Sequence, residues 1–278
     1  MADRRLNFVV LLVPLVALPL SAPCAVGQDP ESAKKTRILF IGKEPDHPWG
    51  SHMYLHASKV LAHCAERSGN IETVVANRWP KDPAALRQVD TIVIYTSPAA
   101  EMMLDGPHRA RFLKMMNQGV GLVTIHWAST VRKENFDRLG PTWMKILGGT
   151  WISNVGLSTG PSTLVQLRPD HPISRGWKNT PFRDEFYLDP KLGPDAVPLL
   201  QVTTRGQKVV VGWAYEREGG GRSFATTLGH FYDNFQRDDF RRILVNAILW
   251  TSHREVPAEG APVDIDPDTL ALPPKPNK

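Results

Sequence analysis

Cysteine is almost missing from this chain. Its 278 residues hold two, Cys24 and Cys64, so a disulfide-stapled scaffold is excluded. Long runs of Lys or Arg are missing too, and the formal net charge is only +5. Basic residues are spread among acids, which argues against a nucleic-acid partner. There is no Gly-rich phosphate-binding signature, no HExxH pair and no internal repeat, so neither a P-loop nor a zincin helix is encoded. The chain also lacks an apolar run long enough to form a stable membrane span. Its longest, Leu6 to Leu20, is broken by Pro14 and Pro19. What is present is ordinary globular composition, 42% hydrophobic and 22% charged, in a chain long enough to build a core without cross-links.

Residues 1–27 read as a secretory signal peptide. Arg4 and Arg5 supply a short positive region, an apolar stretch follows, and Ala25 and Gly27 stand at −3 and −1 of a cleavage site. Export is therefore expected, to the periplasm or the extracellular space, with no stable membrane insertion after cleavage. Only Cys64 would remain in the mature chain.

From Arg37 onward, short apolar runs alternate with helical patterns. RILFIG (37–42), Ile71–Ala76 and TIVIYT (91–96) read as strands. The stretch opening at Ser51 reads as a helix, with Met53, Ala57, Val60, Leu61 and Cys64 on one apolar face. Cys64 is thus a small buried hydrophobe and not a nucleophile. His56 and His63 flank that face and are expected in solvent. The alternation predicts an α/β fold, a three-layer sandwich with a mostly parallel central sheet. Further strands are expected at Thr163–Leu167, Arg183–Leu188, Val197–Val202, Lys208–Tyr215 and Arg222–Leu228. Helices are expected at Asn135–Leu147 and Phe240–Trp250. Residues 255–278 are Pro-rich without periodicity and read as a disordered tail.

The central stretch is GVGLVTIHWAST (119–130). Its apolar run ends abruptly in His126 and Trp127, the pattern of a buried strand that delivers a polar side chain to the sheet rim. Arg222–Leu228 ends in the same manner in Gly229 and His230. Ligands of open α/β sheets bind outside the carboxyl ends of the strands, so segments 43–52, 96–101, 126–130 and 229–235 should converge. They carry His47, Trp49, His52, Glu101, His126, Trp127, His230, Tyr232 and Asp233. Asp184 and Glu185 could join them, or could serve as caps or ion-pair partners of Arg183 or Arg222. Histidines beside carboxylates suit general acid–base work, and a catalytic set of His126, His230, Glu185 and Asp184 is expected. His52, Trp49, Trp127, Tyr232 and Asp233 are expected to bind substrate, the tryptophans against the apolar face of a sugar ring. One imidazole would act as base and the other, protonated, as acid. No cofactor is required by the sequence. A divalent metal is the alternative use of His52, His126 and His230.

Several stretches together resemble the ThuA-like, or trehalose-utilisation, family: GLVTIHWAS (121–129), DHPISRG (170–176), DEFY (184–187), VVVGWAYEREGGGRSFATTLGH (209–230) and FRRILVNAILW (240–250). They are spread over residues 37–253. The resemblance implies a flavodoxin-like, class I glutamine-amidotransferase-like fold and a small-molecule carbohydrate, often an oxidised (keto) sugar, as partner. Amidotransferases of this fold carry a nucleophilic cysteine just after a central strand. The similar position here holds His126, which cannot replace a thiolate acyl carrier, so glutaminase chemistry is rejected. Two readings stand: an exported hydrolase, lyase or isomerase acting on a sugar derivative, and a non-catalytic carbohydrate-binding protein on the same fold.

Overall fold

Strand β1 (Thr36–Gly42) is an apolar run buried on both faces. It pairs in parallel with β2 (Ile71–Asn77) on one side and β3 (Thr91–Ile94) on the other. β4 (Gly121–Ile125) follows β3 in parallel. In the computed structural model, which describes residues 34–153 and 155–275, these strands open a nine-stranded sheet. The expected signal peptide lies outside the described residues.

The helices between them, α1 (Tyr54–Glu66), α2 (Ala99–Leu104) and α3 (Arg109–Asn117), fall on two faces. α1 packs with Ile38, Phe40, Val93 and Val123. α2 and α3 pack with Leu39, Ile41, Ile92 and Leu122. The two sets alternate along the strands, as side chains on a pleated sheet must. After β4 the chain makes β5 (Thr130–Val131), α4 (Phe136–Leu147) and β6 (Gly149–Ile152). A long hairpin partnership of β7 (Leu157–Gln166) and β8 (Thr180–Tyr187) comes next. β9 (Lys191–Leu192) completes a small sheet with β5 and β6. β10 (Val197–Thr204), β11 (Gln207–Glu216) and β12 (Arg222–Thr226) return to the main sheet, where β12 lies parallel to β4. The main sheet runs β2-β1-β3-β4-β12-β11-β10-β7-β8. It is parallel over its first five strands and antiparallel over the rest, so the α/β class stands while the sheet is mixed. α5 (Asp238–Thr251) lies with α1 on one face, and α4 with α2 on the other. Among the described residues no helix is long and apolar enough to cross a membrane.

The expected disordered tail is ordered over residues 255–275. Val256, Ala261 and Val263 are buried in the core beside α1 and α5. Arg241, 2% exposed, donates to the Val263 carbonyl, and Asn246 Oδ1 accepts from Ala261 N at 2.8 Å. A short helix α6 (Pro267–Leu270) follows, and Tyr232 hydroxyl donates to the Leu270 carbonyl. Burial of a few small apolar side chains, with polar groups on the core waiting to be satisfied, outweighs the composition of the segment.

Candidate functional site

His126 is the first residue after β4, at φ +57. The left-handed backbone is uncommon for a residue with a β-carbon. It turns the chain sharply into a 3₁₀ turn, closed by Ser129 hydroxyl donating to the His126 carbonyl. The neighbouring parallel strand β12 stops at Thr226, and three residues further on the chain makes a second left-handed turn. Gly229 takes φ +113, which glycine accommodates, and presents His230. The third imidazole, His52 (φ +51), lies in the loop after β1. This loop is tied to the His230 segment by His52 N donating to the His230 carbonyl and Tyr232 N to the Gly50 carbonyl. Residues 178 positions apart in sequence thus share one strand-end cluster.

The nitrogens meet closely. His126 Nε2 is 3.0 Å from His52 Nε2, and His52 Nε2 is 3.1 Å from His230 Nδ1. The outer nitrogens are fixed by acceptors. His126 Nδ1 donates to the Thr227 carbonyl at 2.8 Å. His52 Nδ1 lies 2.9 Å from Asp46 Oδ1, which also accepts from Tyr54 hydroxyl and from His47. Lys43 sits 2.5 Å from the other Asp46 oxygen. Burial raises the Asp46 pKa, but the bonds from Lys43, His47 and His52 outweigh it and hold the carboxyl well below its usual range.

Strand alternation splits the adjacent carboxylates. Asp184 and Phe186 face inward, while Glu185 and Tyr187 face the cluster. Asp184 is fully buried. It accepts from Gly229 N at 2.6 Å, His230 N at 3.0 Å and Glu185 N at 2.9 Å. Burial pushes its pKa up to about 7 against those donors. Its place is to hold the turn that carries His230, and it does not face the cavity. Glu185 Oε2 stands 3.7 Å from His126 Nε2 and 3.6 Å from His230 Nδ1, and burial raises its pKa. Neither expected arginine reaches these carboxylates. Arg183 lies over the Phe231 ring, and Arg222 pairs with Glu216.

Burial is the leading cause in lowering all three imidazole pKa values, His52 and His230 to about 4 and His126 well below its ordinary value. Each ring is therefore neutral at pH 7. The expected protonated imidazole acid has no support here, because desolvation outweighs the nearby carboxylates.

A cavity of about 170 Å³ opens above the cluster, lined by His47, His52, Trp127, Trp151, Ser153, Leu157, Glu185 and Tyr187. Trp151 and Tyr187 stack at 4.1 Å, and Tyr187 hydroxyl reaches His126 Nε2 at 3.0 Å. Of the expected residues, His47, His52, His126, Trp127, His230 and Glu185 come together. Trp49 does not: it lines a separate groove with Met53, His56 and Pro273. Tyr232 is core, anchored to the C-terminal segment. Asp233 is exposed and makes no ion pair with the cluster. Glu101 accepts from Arg132 N and Asn135, fastening a turn outside the cavity. His56, expected in solvent, is half-buried against Tyr232, whereas His63 is exposed. Cys64 is buried, with its thiol pushed up to about 11. Sequence reasoning missed Asp46, Tyr54, Trp151 and Tyr187. Only Tyr187 carried a signal, as it sits two residues beyond Glu185 on the same strand face.

The sequence model of the trehalose utilisation (ThuA) family matches residues 37–251. The chain belongs to this family. Among solved structures it is similar to a ThuA-like protein from Bacteroides uniformis, with a TM-score of 0.61 at 16% identity, covering 85% of this chain and 98% of that one. It is also similar to a glutamine amidotransferase from Thermotoga maritima, with a TM-score of 0.50 at 10% identity, covering 78% and 98%. At these identities the likeness is one of fold. The expected ThuA-like membership and class I glutamine-amidotransferase-like fold are thereby borne out. A search of curated proteins finds no match.

Proposed function

We propose that this ThuA family member is an exported enzyme that acts on a sugar or an oxidised (keto) sugar, with Glu185 as the proton acceptor. The observation that carries this reading is the Glu185 carboxyl. It is drawn into the cavity with no Lys or Arg partner among the described residues, its pKa is raised by burial, and it stands beside two imidazole nitrogens. A carboxylate brought toward neutrality in a cleft suits general-base catalysis. It can take a proton from a carbon next to a sugar carbonyl, or from water. Trp127, Trp151 and Tyr187 offer aromatic walls to a pyranose ring. The cavity is smaller than the roughly 300–1,000 Å³ of drug-sized sites, so it takes one ring and leaves the remainder of a glycoside in solvent. The N-terminal signal pattern supports export, and intact-mass measurement from the native host should find Gln28 at the mature N-terminus.

The test is turnover of native and 3-keto glycosides by the mature chain and by Glu185→Gln. The variant should lose roughly 10²- to 10⁴-fold in kcat with KM little changed. Wild-type turnover in the variant overturns the assignment of Glu185. Saturable sugar binding without turnover by the wild type across the panel replaces the enzyme with a carbohydrate-binding protein.

A further inference from the structure

We propose that His52 Nε2, His126 Nε2 and His230 Nδ1 ligate a divalent cation of the zinc class at the floor of this cavity, with Glu185 beside the open coordination position. In its neutral form each ring has a single N–H. That of His126 is committed to the Thr227 carbonyl, which can only accept, so His126 Nε2 presents a lone pair. If His52 places its proton on Nδ1, Asp46 is satisfied, and Tyr187 hydroxyl and His230 Nδ1 can donate to the two Nε2 atoms, but the His52 and His126 Nε2 lone pairs still face each other at 3.0 Å. If it places the proton on Nε2, that contact is satisfied. Bare Nδ1 then meets the Asp46 carboxylate at 2.9 Å. Tyr54 hydroxyl does not resolve this, since its one proton cannot separate His52 Nδ1 from Asp46. Either tautomer leaves two lone pairs in contact within a buried cluster.

A cation at the meeting point removes the conflict in one arrangement. All three nitrogens give their lone pairs to it, while His52 donates outward to Asp46 and His126 to Thr227. Metal-bound imidazoles are oriented in this way, by carboxylates or carbonyls on the second nitrogen. The spacing agrees as well. Zinc–nitrogen bonds of about 2.0–2.1 Å in a tetrahedron set ligand atoms about 3.3 Å apart, close to the observed 3.0 and 3.1 Å. All three ligand atoms lie within 4.8 Å of one another. The set Asp46, His47 and His52 is also compact, but Lys43 already supplies the positive charge there. The role given to Glu185 rests on the functional reading above. The ligand set does not.

The experiment titrates the chelator-stripped mature chain with Zn²⁺ by calorimetry, and with Co²⁺ by visible absorption. A single saturable equivalent is expected, with intense visible bands for Co²⁺ and a rise in Tm with added Zn²⁺. His52→Ala, His126→Ala and His230→Ala should each weaken binding by roughly 10²-fold or more, and Asp46→Asn by about 10- to 100-fold through the second nitrogen of His52. Glu185→Gln should keep the metal. Failure of the stripped wild type to take up either ion overturns the proposal, as does binding indifferent to all three histidines. Metal binding without turnover of any sugar leaves the site standing and removes the functional reading. Sugar turnover by stripped protein that takes up neither ion does the reverse.

Discussion

Acid should destabilise this protein through its neutral histidines. Burial leads in lowering His52, His171 and His230 to about 4 from an ordinary 6.5. The unfolded chain takes up these protons near pH 6.5, and the folded chain does so only near pH 4. The stability each confers is complete above pH 6.5 and is lost as pH falls toward 4. Integrated from pH 7 to pH 5, each costs about 2 kcal/mol. His126 adds a loss of the same sign. Asp184 runs the other way: with its pKa raised to about 7, the folded state keeps a proton that the unfolded state releases. That returns about 2 kcal/mol over the same range. The three valued histidines less Asp184 leave a net loss of at most about 4 kcal/mol, reduced by solvent screening at His171 and His230, against a typical total of about 5–15. Urea unfolding of metal-stripped protein at pH 7, 6 and 5 measures it. The discriminating variant is His171→Phe, which lies outside the cavity, capping the turn at Pro172–Ser174. Its lost cap is independent of pH, so its stability should fall by about 2 kcal/mol less than wild type between pH 7 and pH 5. Parallel profiles for the two proteins, or a wild-type stability unchanged at pH 5, would refute the reasoning.

Asp184→Asn must leave one of the Gly229, His230 and Glu185 N–H groups facing an amide donor, at a cost of about 1–3 kcal/mol. Thermal unfolding should show it as a fall in Tm of roughly 3–10 °C. Cys64→Ala removes a buried thiol far from the cluster, so kcat should be unchanged and stability lower by about 1 kcal/mol. Complete loss of turnover in a folded variant would revive a thiol mechanism. Deleting residues 257–278 strips the Val263 carbonyl from Arg241 and the Ala261 amide from Asn246, and calorimetry should record a drop in Tm on the order of 10 °C.

The parallel half of the sheet was legible because RILFIG, TIVIYT and GLVTI are continuous apolar runs that suit a strand covered on both faces. β7 was read only from Thr163, since Ser158–Ser162 before it is small and polar and owes its place to pairing with β8. The C-terminal segment was illegible for a related reason. Composition reports how much apolar surface a segment has, and not whether the core offers a slot for Val256, Ala261 and Val263. At the site, His126 and His230 announced themselves as polar residues closing apolar strands. Asp46 looked like one more acid in a Pro-rich loop, because only folding brings His52 against it.

His52 and His126 hold backbone conformations that glycine or asparagine would occupy with less strain, a difference on the order of 1–3 kcal/mol at each position. Replacing either ring with glycine or asparagine would relax the backbone but would also open space at a buried position and leave Asp46 or the Thr227 carbonyl without its imidazole donor. The strain is thus held in place by the packing and hydrogen bonds of the imidazoles themselves, and a redesign for stability should leave both positions fixed.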